Sequence, residues 1–441
     1  MTEDFLAYLW QFQYFDKKNL KTQKGEPLEV LAIGKRNSNQ GADFQGASLR
    51  IGKQVWHGSV ELHLHVRDWL RHAHEQDSHY NNVILHLVWE DEKAKKEKKA
   101  TPILRQDKTP IPTLELKSRV SPHLLEKYYR FLRTEVLIPC QAEWATVSPL
   151  IKTNALKMAL LQRLERKSND VFQILNQKNN DWEETSYIWL LRHFGFKVNN
   201  EPFARLAEIL PFKSLRKVAD NPHLIEALIF GMAGFLENPT TAYQKELAQH
   251  FSFYVHKNNW QYKNLKRQNW NFLRLRPANF PTVRLAQVAA LLQKMPHLFS
   301  ALTEWRQAKE VIQTFSIEPS TYWQAHYDFD KKWKSTSYSN LGKSSIENLL
   351  INVVSILTYS KKKYYQESDA GFHSFLLLKT IKAESNQITE IWDSLNEKSN
   401  LDKKSLALPH AGATQGFIEL YSQACQQRAC LNCIIGKELL K

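Results

Sequence analysis

The chain has 441 residues, 43% of them apolar, which is ordinary for globular domains with real cores. Sixty Lys and Arg against 45 Asp and Glu leave a net charge of +15, a balance that suits polyanionic partners, above all nucleic acid or an anionic membrane, or else a solubilising surface. No stretch approaches the ~20 apolar residues that cross a bilayer, which argues against a membrane partner. The acidic start lacks a basic n-region, and four cysteines make no disulfide framework, so a cytoplasmic location is expected.

Residues 1–119 mix helix and strand patterns. Glu3 to Phe15 is apolar enough for a first helix, with Thr2 as its N-cap. Leu28 to Ile33 reads as a strand. Ser48–Ile51 and Gln54–His57 flank Gly52-Lys53, a hairpin signal. From Val60 to Val66 the alternation is strict, with Val60, Leu62, Leu64 and Val66 on one face and Glu61, His63 and His65 on the other. Asp68 to Tyr80 has helical character, and Val83 to Trp89 is a near-continuous apolar strand of the buried kind. Asp91 to Lys99 is a charged loop tip, and Thr113 to Leu116 would close the sheet. After Pro122, 3.6-residue spacing dominates, with Asn176–Asp181 and Asn396–Lys404 as polar connectors. The expected class is α+β: a domain over 1–119, then an all-helical region over 120–441 that ends in a cysteine cluster.

Gly41-Ala42-Asp43-Phe44 precedes the hairpin, and Glu61-Leu62-His63 lies on the next long strand. Carboxylates of Asp43 and Glu61 converging at the sheet would hold a hard divalent cation such as Mg²⁺ or Mn²⁺. Such an ion activates water and stabilises charge on a phosphate. His63, two residues after Glu61, points to the same side and would orient water, relay a proton or ligate the metal. The plain alternative is a solvated strand face beside an unrelated loop Asp.

GADF followed by ELH, in a helix–strand–strand–strand–helix–strand order (αβββαβ), resembles the PD-(D/E)XK nuclease superfamily over residues 1–116. The resemblance implies a restriction-endonuclease-like domain in which Asp43 and Glu61 bind magnesium and the activated water cuts DNA. His63 stands where that family has Lys, which leaves open an active site or a dead one. Gln76 and Tyr80 match the Gln-x-x-x-Tyr spacing of RecB-like members; their ordinary reading is a surface Gln and a packing Tyr. Nearly the whole chain also resembles an uncharacterised bacterial family, a domain of unknown function. GSVELHLHVRDWLRHAHEQDSHYNNVILHLVWE, RPANFPTVRLAQ and CLNCIIG carry that likeness.

Seven of the sixteen histidines fall between His57 and His86. Neutral imidazoles with carboxylates suit Zn, Mn or Fe. On a continuous helix His72 and His74 lie about 200° apart and share no ion, whereas Asp68, His72, Glu75 and His79 share a face. His86, inside an apolar strand, reads as a hydrogen-bonded core residue. Cys425, Cys430 and Cys433 cluster near the end, with Cys140 far upstream. They read either as a four-thiolate site for zinc or an iron–sulfur centre, or as free buried thiols. The terminal spacing echoes a ferredoxin pattern, and some RecB-like nucleases close their domain with an iron–sulfur staple of one distant and three C-terminal cysteines. The loop Arg274 to Arg284 is basic and held extended by prolines. Arg274, Arg276 and Arg284 would contact phosphates, with Phe280 or Trp270 stacking on a base.

Three readings follow. The first is a metal-dependent nuclease on DNA or RNA. The second is a non-catalytic nucleic-acid-binding or adaptor protein on a nuclease-like scaffold. The third is an enzyme of another class using the His-rich pocket with a transition metal.

Overall fold

A computed structural model describes residues 1–37, 40–91, 102–334, 340–398 and 410–441. The charged run after Asp91 and most of the connector 396–404 lie outside the described residues. The chain divides into two compact units, Met1–Ala155 with Leu420–Lys441, and Leu156–Glu419. The break therefore comes later than residue 119, and the C-terminal segment returns to the first unit. The reason is packing. Helical periodicity begins at Pro122, but the first helix after it stays bound to the N-terminal element.

That N-terminal element is α1 (Glu3–Phe12), capped by Thr2, whose hydroxyl accepts from the Phe5 N–H. Acids at Glu3 and Asp4 suit the helix dipole, and Phe5 to Trp10 are all buried. The helix after Pro122, α3 (Pro122–Arg133), stacks Tyr128 on Phe5 at 4.0 Å and meets the Thr2 hydroxyl at 2.9 Å. A composition shift marks a change of secondary structure, not of core.

The central sheet runs β1 (Leu28–Ala32), β3 (Phe44–Ile51), β4 (Gln54–His65), β5 (Val83–Glu90) and β8 (Thr113–Glu115), with β2 (Lys35–Arg36) beside β3. β1, β3 and β4 are antiparallel, and β4, β5 and β8 are parallel. The hairpin falls at Gly52-Lys53 as its turn residues require, pairing Ile51 with Gln54. β5 is buried along almost its whole length, as its unbroken apolar run demands, and β8 closes the edge. Ile103–Leu104 (β6) and Pro110–Ile111 (β7) form a small separate pair.

Between β4 and β5 the expected helix over Asp68–Tyr80 is broken. Only Asp68–Arg71 (α2) is α-helical; two 3₁₀ turns follow, His74–Gln76 and Ser78–Tyr80. The break is at Ala73, which adopts φ +57°. A non-glycine residue there carries no sequence signal. The face shared by Asp68, His72, Glu75 and His79 therefore does not form, and Gln76 and Tyr80 sit on separate turns.

The second unit is helical around one core that includes Trp189, Phe203, Phe230 and Trp323. Its most apolar stretch contains a π-helical segment, Leu350–Val354. There Asn352 accepts from the Trp189 indole and from Arg163, so its polar atoms are satisfied inside the core. Helices at Asn200–Ile209, Phe212–Arg216 and Gln387–Lys398 also belong to this unit. Among the described residues no helix is long and apolar enough to cross a membrane.

Candidate metal centre

The antiparallel register of β3 and β4 builds the site. Phe44 pairs with Val60, so Asp43 comes opposite Glu61 one step further on. The two lock reciprocally. The Asp43 N–H donates to the Glu61 carboxylate at 3.1 Å, and the Leu62 N–H donates to the Asp43 carboxylate at 3.0 Å. Two acids eighteen residues apart thus share one spot on the sheet.

The polar face of β4 is not solvated. Glu61 is 6% exposed and His63 1%. Trp69, fully buried, roofs this face with its ring edge toward His63, His74 and His86. Its indole N–H is satisfied by the Leu104 carbonyl. Tyr80 stacks on His74 at 3.8 Å, so the Gln76/Tyr80 pair divides: Tyr80 packs at the cluster, while Gln76 is exposed and bonds Glu75.

Four imidazoles gather under that roof. His63 bonds His86 at 2.8 Å through one nitrogen and His72 at 3.0 Å through the other. His74 approaches the Glu61 carboxylate at 3.3 Å, and His63 does so at 3.8 Å. Donor atoms of His63, His72 and His74 lie within 4.8 Å of one another. The expectation that His72 and His74 cannot share an ion is overturned, because the left-handed Ala73 swings both toward His63. His86 is a fully buried, hydrogen-bonded histidine as expected. His74 as the partner of Glu61 was not foreseen. Glu3, on the first turn of α1, also lies within electrostatic reach of His72 and Glu61.

The electrostatics follow from burial. The Asp43 carboxyl is pushed up to about 7, first by desolvation and then by the adjacent Glu61 charge. Desolvation holds His63 down to about 2 and His86 down to about 3, helped by neighbouring imidazoles. At neutral pH these two rings are neutral. Two carboxylates with imidazoles alongside suit a borderline divalent ion such as Mn²⁺, Fe²⁺ or Zn²⁺, better than an all-oxygen Mg²⁺ cage.

The basic loop separates into two kinds of residue. Arg274 and Arg276 are exposed. Arg284 is 6% exposed and committed internally: it donates to Gln287, Asn279 and Ser345 and lies over the Phe196 ring. Its expected phosphate contact is therefore replaced by a structural role. Trp270 is likewise buried, its indole bonded to the Ala233 carbonyl, and does not offer a stacking face. Arg267 pairs with Asp328, and Lys266 with Glu237. The four cysteines are all buried, unpaired thiols in the first unit.

Fold and site together define a two-unit α/β protein with a buried carboxylate–imidazole cluster on its sheet. The chain belongs to the family described as "Protein of unknown function (DUF2851)", which matches residues 3–387. No curated protein and no solved structure matches it.

Proposed function

We propose that the first unit is a divalent-metal-dependent phosphodiesterase acting on DNA or RNA. The observation that carries this reading is the reciprocal Asp43–Glu61 pair beside an imidazole trio whose donors lie within 4.8 Å. The antiparallel β1–β3–β4 followed by parallel β5 and β8 supports the nuclease-superfamily resemblance. Asp43, Glu61 and His74 would hold the ion, which supplies Lewis acidity and an activated water. Mn²⁺ is the favoured ion because imidazole belongs to the donor set; Mg²⁺ is the harder alternative. His63, hydrogen-bonded to His86 and to the exposed His72, would fix the orientation of the imidazoles around the ion. Burial and the neighbouring Glu61 charge push the Asp43 carboxyl up, and a bound cation would offset that charge and favour the ionised ligand. The net charge of +15 and the exposed Arg274 and Arg276 favour a polyanionic substrate.

One observation favours the adaptor reading. Both nitrogens of His63 are held by other histidines, where a nuclease of this kind has a free Lys amine. The test is cleavage of single- and double-stranded DNA and RNA in Mn²⁺ and in Mg²⁺, with and without EDTA. Metal-dependent cleavage that Glu61→Gln abolishes supports the phosphodiesterase. Binding that survives EDTA with no cleavage in either metal supports the adaptor.

A further inference from the structure

The four cysteines come from opposite ends of the chain into the first unit, and each is less than 9% exposed. The chain conformation that brings them together is built, not incidental. Arg428, between Cys425 and Cys430, donates to the carbonyls of Thr134, Val136 and Leu137, the residues leading to Cys140. Arg428 itself adopts φ +54°. The segment folds tightly enough that a Cβ on Gly436 would lie 2.1 Å from the Cys430 carbonyl oxygen. Cys425 ends a π-helical turn, Cys430 opens a 3₁₀ turn, and Cys433 caps the helix Ile434–Leu439. The Cys433 sulfur accepts the backbone N–H groups of Gly436 and Ile435.

A second observation points to a charged occupant. Lys152 is fully buried, its ammonium has no hydrogen-bond partner, and it lies 4.5 Å from the Trp144 ring centroid. Burial pushes its pKa down, and Cys140 lies within its electrostatic reach. A buried ammonium without an anion is costly. Four neutral thiols offer it no counter-charge, whereas a thiolate-bound metal centre, net negative, would.

The four thiols lie close enough to act electrostatically on one another. Their Cys-x₄-Cys-x₂-Cys order with one remote partner is a pattern that iron–sulfur clusters accept. We propose that Cys140, Cys425, Cys430 and Cys433 ligate a polynuclear iron–sulfur cluster, with Lys152 as its buried counter-charge and Arg428 as the clamp joining the two cysteine-bearing segments. The cluster fastens the C-terminal segment to the first unit.

The test is metal and acid-labile sulfide analysis of the full-length chain purified without oxygen, together with its visible and electron paramagnetic spectra. The expected result is iron and sulfide in equal amounts, about two to four of each per chain, with zinc below a tenth of the iron. Cys430→Ser should lower the iron at least five-fold. Because a misfolded variant would also lose iron, the wild-type content decides the matter. One zinc per chain without sulfide overturns the proposal, and so does a chain that takes up neither iron nor sulfide on anaerobic reconstitution. Asp43→Asn should keep the full iron content, so failure here and failure of the phosphodiesterase reading are separately visible.

Discussion

Replacing Asp43 with Asn should stabilise the metal-free protein. The carboxyl ionises up to about 7 instead of the usual 3.8, because burial and Glu61 both oppose its charge. A raised carboxyl gives stability that is fully present below the usual value and lost as the pH rises through about 7. The interval is ~3 pH units, and at ~1.36 kcal/mol per unit the ionised group costs the fold on the order of 4 kcal/mol. Because the charge is shared with Glu61, about half of that is a fairer expectation for one substitution. Asparagine keeps an oxygen for the Leu62 N–H, at 3.0 Å in the wild type, and presents no charge to Glu61. In EDTA at pH 8, Asp43→Asn should exceed the wild type by about 2 to 4 kcal/mol, and the gap should close as the pH falls toward 4. Hydrogen exchange over the β4 amides is the suitable assay, since it reads the first unit alone. Mn²⁺ at a hundred-fold excess over Kd should narrow the gap by ~2.7 kcal/mol, because only the wild type gains that binding energy. An Asp43→Asn protein no more stable than the wild type at pH 8 in EDTA would refute the reasoning.

Three further outcomes follow. His63 and His86 are held neutral well below the usual 6.5, so their contribution is present above pH 6.5 and lost as the pH falls toward 3; denaturant titration from pH 7 to pH 4 should show a fall that His86→Gln makes shallower. Gly58→Ala should destabilise the first unit by about 1–3 kcal/mol or more, because its Cβ would lie 2.3 Å from the Asn82 carbonyl and push β4 off β5, beside Glu61; thermal melting that matches the wild type would contradict this. Arg276→Ala should weaken polyanion binding and flatten its salt dependence, whereas Arg284→Ala should cost the fold about 2–4 kcal/mol by removing the buried bonds to Gln287, Asn279 and Ser345.

The strands of the first unit were legible because period-2 alternation and the Gly52-Lys53 turn are local signals. The Asp43–Glu61 encounter was legible too, since an antiparallel hairpin constrains which residues oppose each other. What alternation does not report is whether a polar face is covered. Trp69 covers this one through a tertiary contact, turning an apparently solvated strand face into a buried cluster. His74 was missed because a left-handed Ala73 leaves no trace in composition. Arg284 was misread for the converse reason: an arginine between prolines looks exposed until Asn279, Gln287 and Ser345 are seen around it. The return of the C-terminal segment to the first unit rests on Arg428 and its carbonyl acceptors, a contact across nearly the whole sequence that no periodicity reveals.

The central claim is that Asp43, Glu61 and His74 hold a catalytic divalent ion. Calorimetric titration of Mn²⁺ into the metal-free protein, run beside a nucleic-acid cleavage assay on the same samples, tests it most directly. The account predicts one Mn²⁺ per site, with cleavage that appears on its addition, and loss of both in Glu61→Gln while nucleic-acid binding persists. Mn²⁺ binding that is unchanged in Glu61→Gln, or tight binding by the wild type with no cleavage of any DNA or RNA, would contradict it.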